Sequence, residues 1–320
     1  MSARRIIIDC DPGHDDAVAL LLALASPDEL ELRAVTTTFG NVGLLNTTRN
    51  ALRVLDLAAR HAPWLRDNLP GVWSGADRPL LRERISAENV HGNTGLNGPE
   101  IPDALSIARS GHAALRMIDE VLSAPGEVSI LPIGPLTNLA LALRLEPRLA
   151  ASIREIVLMG GSLDLGNTTP AAEFNILCDP HAAQVVFDCG APIVMFGLNL
   201  THQAMATRER VQALRDLPTP VGAVVAGLLE FYQAHHRERY GWDAAPLHDP
   251  CTVAYLLEPG LFETRAMNVS VETLPGPSFG RTNADYWNVT GLAANAEVAL
   301  SLDAQAFFRL LTERIARYSA

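Results

Sequence analysis

The sequence predicts one large α/β domain, covering residues 1–320, with an open, mostly parallel, Rossmann-like central sheet flanked by helices. Two observations lead to this fold. Short, almost fully apolar runs alternate with helical patterns, as expected for parallel strands that are buried on both faces. Each apolar run ends in Gly, Asn, Thr or Asp, the residues that form turns from strands into helices. No low-complexity linker divides the chain.

Five strands can be placed from their apolar and β-branched residues. They are expected at residues 5–9, 32–38, 128–133, 156–159 and 192–196, and the turns after them begin CDPG, FGN, GP, GG and G. Five helices have apolar side chains at spacings of three and four residues. They are expected at residues 17–24, 47–60, 112–122, 136–143 and 304–318, the last as a closing amphipathic helix. A shorter helix is expected at residues 252–257.

The composition argues against several classes of protein. The formal net charge is −11, which disfavours nucleic acids and anionic membranes as partners. All 25 basic residues are arginine, so Schiff-base chemistry and a Walker-type phosphate lysine are excluded. The four cysteines form no CxxC pair, and the N-terminal apolar run is too short for a signal peptide. We therefore expect a cytoplasmic protein that does not bind membranes.

Ligands of such a sheet bind beyond the carboxyl ends of the strands, so the polar residues there are the candidates for a site. They are Asp9, Asp11, Asp15, Asp16, Asn41, Thr137, Asn138, Asn167, Glu173, Asn175 and Asn199. This set contains acids and amides and almost no base. It suits a cation and a polyhydroxylated ligand better than a phosphate.

The turn at residues 9–16, DCDPGHDD, carries four carboxylates within eight residues. Carboxylates this close cannot all stay ionised without compensation, and a hard divalent cation such as calcium would provide it. Zinc would require more His or Cys ligands. The alternative is that Asp15 and Asp16 are only first-turn helix acids, which the helix dipole favours.

A second acidic turn, LHDPC at residues 247–251, allows two interpretations of each polar residue. Asp249 is either an N-cap or a further cation ligand. His248 is either a structural histidine or a general acid, since its pKa lies near neutrality.

Two further segments are also ambiguous. The Gly- and Asn-rich residues 90–99 begin with a VHGNTG motif, in which Asn93, Thr94 and Gly95 follow His91, and they form either ligand contacts or an ordinary surface loop. The aromatic residues 231–242 provide either stacking faces for a flat heterocycle or the core contacts of a helix.

Together these motifs resemble those of the calcium-dependent nucleoside hydrolases of the inosine-uridine-preferring type. The resemblance is carried by IIIDCDPGHDDAVAL, TTTFGN, VHGNTG, LPIGPLTNLA, IVLMGG, EFNILCDP, LTHQA and LHDPCTVAY. These motifs occur in order over residues 6–255, about four-fifths of the chain. The resemblance implies an enzyme that hydrolyses the N-glycosidic bond of inosine, uridine or cytidine to ribose and free base, in a homodimer or homotetramer.

The resemblance also implies roles for individual residues. Calcium ligands would be Asp11, Asp16, Asp249 and the backbone carbonyl of Ile133. The general base would be Asp11, and His248 would assist departure of the base. Contacts to substrate would come from Asp15, Asn41, His91, Asn167, Glu173, Asn175, His235 and Asp249. Within this set, Asp15 and Asn175 would bind ribose hydroxyls, and Asn167 and Glu173 the 5′-hydroxyl. Asn41 would support the acidic cluster, His91 would lie near the base, and His235 stands where broad-specificity members place a Tyr.

Two other readings compete with this one. An apolar strand followed by Asp-x-Asp also begins the haloacid-dehalogenase-like phosphatases, with Asp9 as nucleophile and Mg²⁺ as cofactor. Those enzymes have Thr or Val where this chain has Gly13, and they usually use a downstream Lys. This chain contains no Lys. A ribose- or nucleoside-binding module with the same calcium site would bind without turnover. A nucleotide is a poorer substrate than a nucleoside, because Glu173 would repel a 5′-phosphate.

Overall fold

The computed structural model describes residues 3–66 and 68–319. The strands within these ranges are β1 Arg4–Cys10, β2 Leu30–Thr37, β3 Gly71–Ser74, β4 Val128–Pro132, β5 Glu155–Met159, β6 Ile193–Phe196, β7 Met205–Ala206, β8 Ala245–Pro246, β9 Phe262–Met267, β10 Val269–Val271, β11 Thr282–Ala284 and β12 Ala296–Leu302. The five predicted strands are confirmed as β1, β2, β4, β5 and β6, and their ends differ by at most two residues from the prediction.

The helices surround these strands. They are α1 His14–Leu24, α2 Leu44–His61, α3 Glu88–His91, α4 Ala113–Ser123, α5 Thr137–Leu145, α6 Leu149–Ser152, α7 Phe174–Cys178, α8 Pro180–Phe187, α9 Leu198–Thr201, α10 Arg208–Arg215, α11 Pro220–Tyr240, α12 Pro250–Leu257 and α13 Ala304–Ile315. Short 3₁₀ turns occupy Pro63–Leu65 and Pro259–Leu261. The predicted helices correspond to α1, α2, α4, α5, α12 and α13. In the described part of the chain, no helix combines the length and apolarity needed to cross a membrane.

The main sheet has eight strands in the order β3-β2-β1-β4-β5-β6-β12-β9. Its neighbours pair in parallel except for β12 and β9, which are antiparallel at one edge. The predicted mostly parallel α/β sheet is therefore confirmed. In the sheet, β2 and β3 lie on one side of β1, and β4, β5 and β6 lie on the other, so the strand order reverses between β1 and β4. Asp9 of β1 pairs there with Pro132 of β4. Ligands of open α/β sheets bind at such a point.

Side-chain alternation along β1 divides the core between the two faces of the sheet. Ile6 and Ile8 belong to the apolar cluster that contains α1, α2, α11 and α13. Ile7 belongs to the cluster on the other face, with α4, α5 and α8. Burial on both faces explains why the strand is almost continuously apolar. It also holds the last residues of β1 rigidly at the carboxyl edge.

Candidate active site at the carboxyl edge of the sheet

A cavity of about 480 Å³ lies at the carboxyl edge of the sheet, within the size range of small-molecule sites. Eleven residues predicted from the sequence border it: Asp15, Asn41, His91, Ile133, Asn167, Glu173, Asn175, Asn199, His235, His248 and Asp249. Asp11 and Asp16 lie behind this wall, buried against it. The structure therefore gathers the predicted set into one place.

Three carboxylates form the centre of the site. Asp15 and Asp16 begin α1 and Asp249 precedes α12, and each offers an oxygen within 4.8 Å of the others. All three are buried. Burial, followed by the charges of neighbouring carboxylates, raises the pKa of Asp15 to about 7 and that of Asp249 well above its usual range. Asp249 stands at the N-cap position, but its side chain makes no capping hydrogen bond, so it is not merely a cap.

Asp11 lies beside this cluster, and its two carboxylate oxygens have different hydrogen-bonding surroundings. Its Oδ2 accepts a hydrogen bond from the backbone NH of Asn41 at 2.7 Å. Its Oδ1 is buried and has no hydrogen-bond partner in the described part of the protein. A buried polar atom without a partner is costly, and it marks a place where a ligand or ion fits. Burial and the charge of Asp16 raise the pKa of Asp11.

Asp16 is held by three donors around the turn. Its Oδ1 accepts from the backbone NH of Asp11 at 3.1 Å, and its Oδ2 accepts from that of Gly13 at 2.9 Å. The Asn41 amide donates to Asp16 Oδ2 and to the backbone carbonyl of Asp11, both at 3.1 Å. Although burial raises the pKa of Asp16 to about 6, these donors favour its charged form. Asn41 therefore contacts the acidic cluster as well as the cavity.

Asp9 is separated from the cavity. Its Oδ1 accepts from Thr36 at 2.7 Å and from Asn138 at 2.8 Å, and the residue is fully buried. A phosphatase nucleophile at this position would have to meet its substrate, and Asp9 does not border the cavity. The arrangement argues against the haloacid-dehalogenase interpretation.

Glu173 and Asn175 border the cavity where α7 begins. Glu173 caps this helix, and its carboxylate accepts from the backbone NH groups of Gly161, Asn175 and Ile176 at 2.8–3.0 Å. Burial still raises its pKa to about 7. The Asn175 amide donates to the carbonyl of Ile133 at 3.0 Å, which ties α7 to the end of β4. Nearby, Asn167 Oδ1 accepts from the backbone NH of Phe174 at 2.9 Å.

The opposite wall is built of histidines and aromatic rings. His248 Nδ1 lies 2.8 Å from the Thr201 hydroxyl, and burial lowers the pKa of His248 well below its usual value. His91 is also buried, with its pKa lowered for the same reason. His91 ends the short helix α3, so this part of the predicted loop is a buried wall of the cavity rather than an ordinary surface loop.

Several wall residues were not predicted from the sequence: Ser86, Asn89, Asp164, His202 and Arg239. Tyr232, His236, Tyr240 and Trp242 belong to the aromatic segment 231–242, and they also border the cavity. A helical pattern would have found part of this set, because Tyr232 and His236 are four residues apart on α11 and so share a face. His202 follows α9 just after the end of β6, and its ring packs edge-on against Trp242 with ring centres 5.3 Å apart.

The acidic cluster fits a hard metal ion. None of the ion pairs in the described residues involves Asp9, Asp11, Asp15, Asp16, Glu173 or Asp249. Buried carboxylates without a cationic side chain need another positive charge. The donors here are oxygens, which suit calcium or magnesium better than zinc. The cluster of Asp15, Asp16 and Asp249 could therefore hold a metal ion.

Comparison with known proteins shows the family of this chain. A sequence profile of the inosine-uridine preferring nucleoside hydrolase family matches residues 6–309. The chain is 47% identical over 315 residues to the pyrimidine-specific ribonucleoside hydrolase RihA of Salmonella paratyphi A, covering 98% of this chain and 99% of that protein.

Solved structures give the same result. A plant nucleoside hydrolase, PpNRh1, has a TM-score of 0.89 and 35% identity over 98% of this chain and 99% of that one. A purine-preferring ribonucleoside hydrolase from Gardnerella vaginalis has a TM-score of 0.89 and 34% identity over 98% of each chain. The chain therefore belongs to the family of inosine-uridine preferring nucleoside hydrolases, enzymes that hydrolyse ribonucleosides to ribose and the free base.

Proposed function

We propose that this enzyme acts on pyrimidine ribonucleosides, uridine and cytidine ahead of inosine, with calcium as its cofactor. The observation that carries the proposal is one cavity with buried carboxylates on one side and histidines and aromatic rings on the other. The first side suits a sugar and a cation, and the second suits a flat base. The preference for pyrimidines is supported by the 47% identity with a relative named as pyrimidine-specific, against 34% with one named as purine-preferring.

Calcium would be held by Asp11, Asp16, Asp249 and the carbonyl of Ile133, with Asp15 beside it. Bound calcium would orient the attacking water and the ribose 2′- and 3′-hydroxyls and lower the pKa of that water. The burial of Asp11 beside the cluster of Asp15, Asp16 and Asp249 supports its place in this set.

Asp11 is the proposed general base. Its Oδ1 has no protein donor in the described residues, so the oxygen can accept a proton from water. Its Oδ2 is fixed by Asn41, which leaves Oδ1 as the basic atom and sets its direction.

The sugar side of the cavity would stabilise positive charge. Cleavage of the glycosidic bond passes through an oxocarbenium-like state, in which the ribose ring becomes cationic. Asp15 and Asn175 would bind the ribose hydroxyls, and Asn167 and Glu173 the 5′-hydroxyl. Negative charge on these acids favours the cationic state over the neutral ground state. Glu173 also disfavours a 5′-phosphate, so nucleosides are the expected substrates and nucleotides are not.

His248 is proposed to assist the leaving base. The Thr201 hydroxyl can donate to Nδ1, which places the proton of a neutral His248 on Nε2. The Nε2 proton would then stabilise negative charge that develops on the base. His91 and His235 border the same side of the cavity and would contact the base.

The test is release of reducing sugar from uridine, cytidine, inosine and adenosine, before and after removal of calcium. We expect ribose from uridine and cytidine at the highest rates, loss of activity with a chelator, and recovery with added Ca²⁺. Faster cleavage of inosine or adenosine would overturn the base preference, and activity that survives chelation would overturn the metal role. Binding of uridine without ribose release would favour a binding module, and UMP serves as the control for the 5′-phosphate.

The protein is further proposed to be a cytoplasmic homodimer or homotetramer with no nucleic-acid or membrane partner. The net charge of −11 supports the absence of polyanionic partners. Large exposed apolar side chains, among them Leu45, Leu105 and Ile107 at 82–88% exposure, are consistent with an interface between subunits. Light scattering on the purified protein measures the oligomeric state directly, and a monomer would contradict this part of the proposal.

A further inference from the structure

Arg239 borders the cavity with an exposed side chain, and the reaction described above gives it no role. It is the only arginine among the described residues that line the cavity, and the chain contains no lysine. The acids of the same lining are Asp15, Asp164, Glu173 and Asp249. The lining therefore carries one permanent positive charge in a site that is otherwise acidic.

The position of Arg239 along α11 places it at the end of the cavity away from the acidic turn. Tyr232 is buried on this helix, and its ring stacks on that of His14 in the acidic turn, with ring centres 5.8 Å apart. Arg239 lies two turns further along the same face, a rise of about 10 Å, and is exposed. The cavity thus runs from an acidic floor to a cationic mouth.

Aromatic side chains hold the guanidinium of Arg239 at this mouth. Its Nε donates to the Tyr240 hydroxyl at 3.0 Å, and its Cζ lies 5.4 Å from the centre of the Tyr240 ring. The Tyr240 ring packs in turn against Trp242 and His236, with ring centres 5.0 and 5.7 Å apart. The contact with the ring stabilises the cation, and the hydrogen bond sets its direction.

The two Nη groups of Arg239 remain available to a ligand. Among the described residues, the guanidinium donates a hydrogen bond only to Tyr240, and it takes part in no ion pair. Arg237, on the same helix, does pair with Asp243, at 3.8 Å. A guanidinium has only donors and no acceptor, so a free one at a cavity mouth suits an oxygen of the ligand.

The two ends of the cavity indicate how a pyrimidine nucleoside would lie. The ribose becomes cationic during cleavage and belongs beside the carboxylates, so the base extends from its N1 atom towards the mouth. The ring atom opposite N1 is C4, which carries an oxygen in uracil and an amino group in cytosine. The oxygen can accept from an arginine, whereas the amino group presents a second donor. When the bond to N1 breaks, part of the negative charge of the uracil anion spreads onto this oxygen.

We propose that Arg239 binds the oxygen at C4 of the base and makes the enzyme prefer uridine to cytidine. Its positive charge stabilises the departing uracil anion, so the contact is stronger in the transition state than in the ground state. The inference rests on the proposed nucleoside hydrolysis and adds to it one residue of the enzyme and one atom of the base.

Ribose release from uridine and cytidine tests this contact. Arg239→Gln removes the charge and the guanidinium, and we expect kcat/KM to fall by about tenfold or more for uridine and by less than about threefold for cytidine. Arg239→Lys keeps the charge and should lose less on uridine. Arg237→Gln is the matched control, because it makes the same change at an exposed arginine of α11 that does not border the cavity. It should leave both values unchanged.

A second readout separates recognition of the base from an effect on the fold. The imino sugar 1,4-dideoxy-1,4-imino-D-ribitol is a cationic ribose analogue without a base, so its inhibition constant should change by less than about twofold in Arg239→Gln. An unchanged preference for uridine over cytidine in Arg239→Gln would overturn the proposal. Weaker inhibition of that variant by the imino sugar would overturn it too.

Calorimetry keeps the inference separate from the proposed function. If the unmodified enzyme releases ribose from neither nucleoside, the proposed hydrolysis fails, and the binding of each nucleoside then tests Arg239 alone. Arg239→Gln should weaken the binding of uridine more than that of cytidine. Equal weakening for the two nucleosides, or none, would overturn the role of Arg239.

Discussion

The two oxygens of the Asp11 carboxylate have different surroundings, and this difference suits a base. The backbone NH of Asn41 holds Oδ2, while Oδ1 is buried without a partner in the described residues. A symmetric set of donors would lower the basicity of both oxygens. Here one oxygen orients the group and the other stays available.

Replacement of Asp11 tests this directly. Asp11→Ala removes both the base and a calcium ligand, so kcat/KM for uridine should fall by about a thousandfold or more. Sugar release measures the loss, and circular dichroism checks that the variant is folded. Asp188→Asn removes an exposed carboxylate and should leave the rate unchanged. Near-normal turnover by Asp11→Ala would refute the assigned role.

A substitution at Thr201, which contacts the Nδ1 atom of His248, tests the role of His248 in the departure of the base. Thr201→Val keeps the shape of the side chain but removes the hydroxyl 2.8 Å from His248 Nδ1. We expect kcat/KM for uridine to fall by about tenfold, because the Nε2 proton of His248 is no longer fixed.

The conservative change and a second substrate separate this effect from packing. Thr201→Ser retains the hydroxyl and should restore most of the activity. The value of kcat/KM for 4-nitrophenyl β-D-ribofuranoside should be little affected by Thr201→Val, since nitrophenolate departs without a proton. A loss of similar size on both substrates would mean that Thr201 supports the fold and not the leaving base.

Individual residues of the site differ in how far the sequence predicts them. The four carboxylates of the acidic turn are close in sequence, so their proximity in space follows from local geometry alone. His14 lies in the same turn, but its neighbours Asn97 and Phe231 are distant in sequence. Side-chain direction within a turn depends on such tertiary contacts, and no local pattern reports it.

At the scale of the secondary-structure elements, the turns after β2 and β4 leave room for the carboxylate of Asp11. A Cβ atom at Gly40 would lie 2.0 Å from Asp11 Oδ2, and one at Gly134 would lie 2.2 Å from Asp11 Oδ1. Both distances are far below a van der Waals contact. Glycine in the turns after these two strands is therefore required by the carboxylate between them.

Gly134→Ala should displace the Asp11 carboxylate without altering its chemistry. We expect activity to fall by about a hundredfold and the free energy of unfolding to fall by about 1–3 kcal/mol, as for other overpacked sites. Gly260→Ala is the control, because a Cβ atom there meets no atom within 4 Å. Sugar release and thermal unfolding of the two variants make the comparison. A fully active Gly134→Ala enzyme would contradict the close packing of Asp11.

Prediction of the elements from sequence works where burial is complete. The runs at β1, β4 and β5 are apolar because both faces of the sheet are covered, so their pattern is unambiguous. The edge strand β9 has buried residues only at its two ends, and β3 has only four residues. Neither strand therefore shows a clear alternation of apolar and polar residues in the sequence. Pairing of β12 with both β6 and β9 is a long-range contact that the pattern of β12 alone does not contain.

For the whole molecule, the fold concentrates negative charge at one edge of the sheet. Six buried carboxylates lie at this edge, five at or behind the wall of the cavity and Asp9 separated from it, and none belongs to an ion pair in the described residues. A buried charge without compensation destabilises the folded state or takes up a proton. The stability of the protein should therefore depend on both pH and metal.

The acids and the buried histidines contribute to this dependence with opposite signs. Burial raises the pKa of Asp15 from 3.8 to about 7 and that of Asp16 to about 6, so the folded protein keeps protons that the unfolded chain releases. Their contribution to stability is lost as the pH rises from about 4 to about 7. Burial lowers the pKa of His14 and His236 from 6.5 to about 4, and this contribution grows with pH between about 4 and 6.5.

Calcium tests the contribution of the acids, because the ion binds the carboxylates and not the histidines. Only deprotonated carboxylates bind the ion, and binding stabilises the folded state by about 2.7 kcal/mol when free calcium is 100-fold above Kd. We therefore expect Ca²⁺ to raise the thermal midpoint of the chelator-treated protein clearly at pH 8 and little at pH 5. Asp249→Asn should abolish the increase at pH 8, and Asp188→Asn should retain it. An increase of the same size at both pH values, or in Asp249→Asn, would mean that calcium binds somewhere other than this cluster.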